Sequence, residues 1–105
     1  MSFLKSQRHE SKKLRDSARG QECKIRIPGV CNFNPETTVL CHLNGAGSGT
    51  KHSDLMAAFG CCDCHAAIDR RIKTQYSPNE LELMHLQGVT RTQQFWLDND
   101  LVKLT

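Results

Sequence analysis

The sequence predicts a small α+β domain in which short strands come first and helices follow. Before residue 60, short segments of β-branched and apolar side chains are separated by turn residues, whereas apolar residues after residue 60 recur with helical spacing. Only 6% of the 105 residues are aromatic, and six are cysteines. A core with so few large side chains usually requires a cross-link or a bound metal.

The N-terminal segment, residues 1–19, is predicted to be a basic arm preceding a single domain over residues 20–105. The arm carries six basic residues against two acidic ones, within a net charge of +3. The sequence predicts either a flexible arm or a short exposed helix from about Glu10 to Ala18, ended by Gly20. Such a basic segment favours a polyanionic partner such as nucleic acid. No apolar run is long enough for a signal peptide or a membrane span, so we expect a soluble cytoplasmic protein with no membrane partner.

Three segments have strand-like patterns. Residues 23–27 alternate apolar with basic side chains and lead into a turn at Pro28-Gly29. Residues 37–43 are rich in β-branched and apolar side chains, and His42 lies near the end of that segment. Residues 55–59 are predicted to form a further short strand.

Helical patterns dominate the second half of the chain. The first predicted helix has one apolar face, formed by Cys64, Ile68 and Ile72. Residues 77–80 (Ser-Pro-Asn-Glu) have the sequence of a capping box and predict a second helix that ends near Gly88. A third helix is predicted from about Thr90.

Cysteine spacing predicts a structural zinc site. A C-x-x-C pair places two thiolates on one tetrahedral ion, and two earlier cysteines complete a closed four-thiolate set: Cys23, Cys31, Cys61 and Cys64. In a reducing compartment such cysteines are more often metal ligands than disulfides. Because seven residues separate the first two, wider than the usual spacing, Cys41 and Cys62 are the alternative ligands.

His65 directly follows the last cysteine of that set and is not needed for it. Asp69 lies four residues later on the same helical face, so the two side chains form a candidate site for a harder cation, Mg²⁺ or Mn²⁺. The alternative for Asp69 is a solvated ion pair with Lys73. His42, alone on an apolar strand, would ordinarily be a structural hydrogen-bonding group.

The order of these parts resembles the HNH nucleases: a cysteine pair, a strand ending in His, a loop, C-x-x-C-H and a helix. From Ala18 onward, several segments taken together also resemble the YbcO family of small phage-encoded proteins described as nucleases. These segments are ARGQEC, IRIPGVCN, NPETTVL followed by His, GTK followed by DL, CxxCH, IDRR and RTQxxWL. Residues 1–17 lie outside this resemblance.

The resemblance implies a ββα-metal fold with additional C-terminal helices and an endonuclease that hydrolyses DNA phosphodiester bonds. It implies that His42 is the general base and that His65 is a ligand of the catalytic cation. It also implies a recombination protein as a further partner. Two positions depart from the HNH pattern: Asp54 stands in place of the middle Asn, and Cys41 stands where many HNH enzymes have an acidic or His ligand.

The remaining candidate residues follow from what phosphodiester cleavage requires. Asp54 is expected to orient His42 or to bind the cation, with a simple turn residue as the alternative. Lys51, Arg70 and Arg71 are expected to contact flanking phosphates. For the two arginines, the alternative is a solvated helix face.

Two other functions compete with the nuclease. The first is a non-enzymatic zinc module that binds nucleic acid, for which the basic arm and the zinc suffice. The second is a protein-binding adaptor whose surface surrounds Phe95 and Trp96. His42 discriminates between these classes, because an enzyme needs it open to solvent and close to His65.

Overall fold

The structure is a computed structural model that describes residues 10–43 and 53–104. The elements in chain order are helix α1 (Lys12–Ser17), a 3-10 helix (Pro35–Thr37), strands β1 (Val39–His42) and β2 (Ala57–Gly60), and helices α2 (Cys62–Ile68) and α3 (Pro78–Asp98). The predicted α+β class is confirmed. Within the described ranges, no helix is long and apolar enough to cross a membrane.

Strands β1 and β2 pair antiparallel, with Leu40 opposite Phe59 and His42 opposite Ala57. The outer edge of β2 is covered by other parts of the chain. The Phe59 amide donates to Thr92 Oγ1 at 2.9 Å, and the Phe59 carbonyl accepts from the Lys24 amide at 2.7 Å. At Phe59 this edge therefore has its backbone groups paired rather than open to another strand.

The prediction of a strand over residues 23–27 is wrong. Burial does alternate along the segment, because Ile25 and Ile27 are 1% and 0% exposed. The segment nevertheless forms no strand ladder. Arg26 adopts a left-handed φ of 58°, which breaks the extended conformation. The predicted turn that follows is observed, since the Val30 amide donates to the Ile27 carbonyl at 3.1 Å.

Helix α3 begins as predicted and ends later than predicted. The Ser77 hydroxyl accepts from the Glu80 amide at 3.1 Å, and the Glu80 carboxylate accepts from the Ser77 amide at 2.7 Å, which confirms the capping box. The prediction of a break near Gly88 and a separate helix from Thr90 is wrong, because one helix runs through both residues.

Gly88 is a packing residue, not a helix stop. A Cβ placed there would lie 3.0 Å from Ile25 Cγ1, 3.1 Å from Ile25 Cα and 3.2 Å from Ala58 Cβ. The absence of a side chain therefore lets α3 lie directly against β2 and against the segment that carries Ile25.

The buried side chains form two clusters. The thiol core contains small and medium side chains around the cysteines: Cys23, Ile25, Ile27, Cys41, Ala58, Cys61, Cys64, Ala67, Ile68, Leu81 and Val89. The aromatic core consists of Leu14, Ala18, Phe59 and Trp96. Neighbouring residues of β2, Ala58 and Phe59, belong to different clusters, so this strand separates the two.

Helix α1 belongs to the aromatic core and is not the exposed helix that the sequence predicted. Leu14 and Ala18 are 6% and 1% exposed. The Trp96 indole N–H donates to Ser17 Oγ at 2.8 Å, which ties α1 to α3. The first nine residues of the predicted arm lie outside the described residues.

Candidate functional site

The sulfur atoms of the four predicted zinc ligands all lie within 4.8 Å of one another: Cys23, Cys31, Cys61 and Cys64. Tetrahedral zinc with Zn–S bonds of about 2.3 Å separates its sulfurs by about 3.8 Å. Cys31 Sγ and Cys61 Sγ are 3.9 Å apart, so the thiol set fits such an ion. The alternatives, Cys41 and Cys62, are not members of this cluster.

Local hydrogen bonding explains how the C-x-x-C pair is presented. Cys61 is the N-cap of α2, and its sulfur accepts from the Cys64 amide at 3.4 Å. This is the cap geometry that Ser or Asp usually provides, here provided by a thiol. It holds both sulfurs at the start of the helix, where Cys23 and Cys31 approach from the preceding turn.

Hydrogen bonding and burial shift the pKa values of three of these thiols. A hydrogen bond with Cys64 lowers the pKa of Cys23 to about 4, and the same hydrogen bond raises the pKa of Cys64. Burial raises the pKa of Cys31 to about 11. Crowded thiols of this kind resist full deprotonation on their own, and a bound cation would compensate the charge of all four thiolates.

His42 and Asp54 form a close pair beside the sheet. His42 Nε2 lies 2.5 Å from Asp54 Oδ1, with the His42 side chain 15% exposed and the Asp54 side chain 1% exposed. Burial acts to raise the pKa of Asp54, but the hydrogen bonds from His42 and the Ser11 amide, together with the charge of Arg15, hold that pKa below its usual value. Asp54 is therefore an ionised carboxylate in a nearly closed position at neutral pH.

The other oxygen of Asp54 is held by α1, which sequence reasoning did not place at the site. The Ser11 amide donates to Asp54 Oδ2 at 2.5 Å, and Arg15 Nε lies 3.7 Å from the same oxygen. Ser11 was recognisable as a helix N-cap, because Ser is favoured there. Nothing in the local sequence connects either residue with a carboxylate about forty positions later.

His65 and Asp69 are also brought together. His65 Nε2 lies 3.1 Å from Asp69 Oδ2, across one turn of α2 and its C-terminal cap. Arg71 Nη2 lies 3.8 Å from the same carboxylate oxygen, and the Arg71 side chain is 60% exposed. Arg70 adopts a left-handed φ of 59° directly after the helix. Lys51, the third predicted phosphate contact, lies outside the described residues.

His85 is a further buried titratable residue that sequence reasoning missed. It is 3% exposed, and its Nε2 lies 2.9 Å from the carbonyl oxygen of Cys41, the residue before His42. Its spacing in the sequence could have predicted this burial, since His85 falls four residues after Leu81 and three before Gly88, on the buried face of α3. It fixes the backbone of β1 immediately next to His42.

A sequence profile of the family described as "Putative nuclease YbcO" matches residues 12–101. The chain belongs to the YbcO family. The proteins of that name from Escherichia coli K12 and Enterobacteria phage 82 are each 50% identical to it over 93 residues, which is 86% of this chain and 96% of theirs. The family predicted from the sequence is thereby confirmed.

A solved structure is also similar. It is described as a bacteriophage protein from Escherichia coli K-12 MG1655, with a TM-score of 0.71 and 42% identity over 84% of this chain and all of that one. The YbcO profile begins at residue 12, so the expectation that residues 1–17 lie outside the resemblance is wrong for residues 12–17. All of α1, including Leu14 and Arg15, lies within the residues that this profile matches.

Proposed function

We propose that this YbcO protein is a metal-dependent endonuclease of the HNH type that hydrolyses phosphodiester bonds in DNA in the cytoplasm. The observation that carries the proposal is the 2.5 Å contact between His42 and a buried Asp54. The names of its relatives support a nucleic-acid substrate. The resemblance to HNH nucleases favours DNA as that substrate and a recombination protein as a further partner.

Asp54 prepares His42 to accept a proton. An ionised carboxylate only accepts hydrogen bonds, so Nε2 of His42 carries the hydrogen and Nδ1 carries the lone pair. A neutral imidazole in this tautomer is able to take a proton from a water molecule that attacks phosphorus. The negative charge of Asp54 then stabilises the imidazolium that forms, as an orienting carboxylate does in other His-based sites.

His65 and Asp69 are proposed to hold the catalytic cation. Their contacting atoms are 3.1 Å apart, close to the roughly 3 Å that separates neighbouring ligands of an octahedral cation with bonds of about 2.1 Å. When bound, Mg²⁺ or Mn²⁺ would stabilise the charge that develops on the phosphate and the leaving oxygen. Arg70 and Arg71, at the end of the same helix, and Lys51 are proposed to contact flanking phosphates.

The order of elements supports the HNH-type assignment. An antiparallel pair, β1 and β2, is followed directly by α2, with His42 at the end of the first strand and His65 in the helix. In this arrangement the four-cysteine cluster is proposed to bind a structural zinc ion, since all four ligand positions are filled by protein.

The test measures cleavage of duplex, single-stranded and branched DNA with Mg²⁺, Mn²⁺ or Ni²⁺. His42→Ala should lose about 10²–10⁴ of the rate and still bind the cation, whereas His65→Ala should lose both cleavage and cation affinity. Zinc content and melting temperature should match wild type in both variants. Absence of cleavage with every substrate, or a wild-type rate in His42→Ala, would favour the zinc-structured binding module instead.

A further inference from the structure

Helix α1 places the positively charged side chain of Arg15 beside the His42–Asp54 pair. Arg15 Nε lies 3.7 Å from Asp54 Oδ2, while Asp54 Oδ1 contacts His42. One carboxylate group thus separates the guanidinium from the imidazole. We propose that Arg15 binds the phosphate of the DNA strand next to His42, and that Glu10 occupies this binding position until DNA arrives. This inference rests on the proposed nuclease function and adds a substrate ligand to it.

The two edges of the Arg15 side chain have different surroundings. Its Nε edge points to Asp54, which is 1% exposed, whereas the Arg15 side chain as a whole is 47% exposed. A guanidinium offers five N–H donors in a planar fork, so an inner edge held by a carboxylate leaves an outer edge for a second anion. Phosphate oxygens match that fork in the same way as carboxylate oxygens.

Glu10 marks the position of that second anion. Its Oε1 lies 3.3 Å from Arg15 Nη1, and the Glu10 side chain is 56% exposed. Exposed ion pairs of this kind contribute little to stability because solvent and salt screen them. A phosphate of the DNA backbone is therefore able to displace Glu10 at small cost and take the same donors.

Electrostatics gives a reason for a cation at this position. A phosphodiester that approaches His42 also approaches the negative charge of Asp54, and two like charges at close range repel. Arg15 lies 3.7 Å from Asp54 and is 47% exposed, so its positive charge offsets part of that repulsion. Lys12, on the same helix, pairs instead with Asp16 at 2.6 Å and is 83% exposed.

The experiment measures binding of a fluorescently labelled duplex oligonucleotide by anisotropy over a salt series, with no divalent cation added. Two charge-matched pairs of variants are compared: Arg15→Gln with Lys12→Gln, and Glu10→Gln with Asp16→Asn. Arg15→Gln should weaken binding and reduce the salt slope of log K by about 0.9, the value for one phosphate contact. Glu10→Gln should tighten binding about two- to fivefold by removing the competitor, and Asp16→Asn should tighten it less.

Three results would overturn the inference. The first is an unchanged salt slope in Arg15→Gln. The second is equal tightening by Glu10→Gln and Asp16→Asn, which would reflect net charge alone. The third is a drop in kcat in Arg15→Gln at unchanged KM and affinity, which would make Arg15 a positioning residue for Asp54 only. If Arg15→Gln does not fold, the comparison of the two acidic variants decides the question.

Binding and cleavage are scored separately, so the two proposals fail separately. If the wild-type protein cleaves no DNA but the variants bind DNA with the predicted order of affinities, the nuclease proposal is wrong. Arg15 would then still be supported as a phosphate ligand. Wild-type protein that cleaves DNA with an unchanged salt slope in Arg15→Gln would support the nuclease and overturn the role of Arg15.

Discussion

The thiol core and the aromatic core are stabilised in different ways, although they meet at one strand. The thiol core is made mainly of cysteine, alanine and isoleucine, and three of its cysteines, together with Cys31 packed against it, form the sulfur set that fits a metal ion. The aromatic core has fewer members but contains Phe59 and Trp96, packed edge to face with ring centroids 5.8 Å apart. We propose that the first depends on metal coordination, whereas the second depends on burial of apolar surface.

The two cores position different members of the proposed catalytic site. Asp54 is held by Ser11 and Arg15 from α1, which the aromatic core anchors. His65 follows Cys64 and is positioned by the thiol core. A complete site in this chain therefore requires both kinds of stabilisation at once.

The largest expected loss of stability follows removal of the proposed zinc ion or of one of its cysteine ligands. Cys64→Ala, or treatment with a strong chelator, should unfold the thiol core, because zinc binding contributes about 10–16 kcal/mol in isolated zinc modules. Elemental analysis and thermal denaturation measure this effect. Cys62→Ala is the matched control, since Cys62 is exposed and outside the cluster. Protein that is purified without chelators and lacks zinc would contradict the prediction.

The next effect is specific to the aromatic core. Trp96→Ala should destabilise the protein by about 3–5 kcal/mol, because a fully buried indole leaves a large cavity. It should also release Ser17 and loosen α1. Zinc content should stay near one per chain. Phe33→Ala, which alters a side chain 81% exposed, should change stability little. Loss of zinc in Trp96→Ala would show that the two cores are not separable.

A smaller effect is expected where α3 packs against the thiol core. Gly88→Ala should destabilise by about 1–3 kcal/mol, because the added methyl group would press on Ile25 and Ala58. Helix propensity alone predicts the opposite sign, a gain of about 1 kcal/mol. Chemical denaturation distinguishes the two, with Gln87→Ala, an exposed neighbour on the same helix, as the control.

The smallest effect is a pH dependence at Asp54. Because its pKa is lowered in the folded protein, the ionised carboxylate stabilises the fold above the usual value of about 3.9, and this contribution is lost as pH falls through the lowered pKa. The difference in free energy of unfolding between wild type and Asp54→Asn should therefore be constant above about pH 5 and shrink below about pH 4. A difference that grows as the pH falls would contradict this assignment.

Local signals predicted much of the fold and part of the site. The capping box of α3 and the C-x-x-C pair of α2 are short-range arrangements, and each depends on residues three positions apart. The pairing of His65 with Asp69 follows equally from helical spacing. These features form wherever the helix forms, which is why the sequence alone was sufficient.

Long-range packing accounts for the errors. Alternating burial at Ile25 and Ile27 looks the same in a strand and in an extended segment that bends at Arg26. Gly88 resembles a helix end unless the backbone that lies against it is known. The burial of α1 depends on Trp96, about eighty residues away, and therefore has no signal near Leu14.

Trp96 gives this protein a built-in optical reporter. The chain has a single tryptophan, and its indole is fully buried with its N–H on Ser17 of α1. Its emission reports the environment at the junction of α1 and α3, whereas thiolate-to-cobalt absorption bands would report the cysteine cluster after metal exchange. Tryptophan emission and cobalt absorption would thus follow the release of α1 and the loss of the metal independently in one cobalt-exchanged sample.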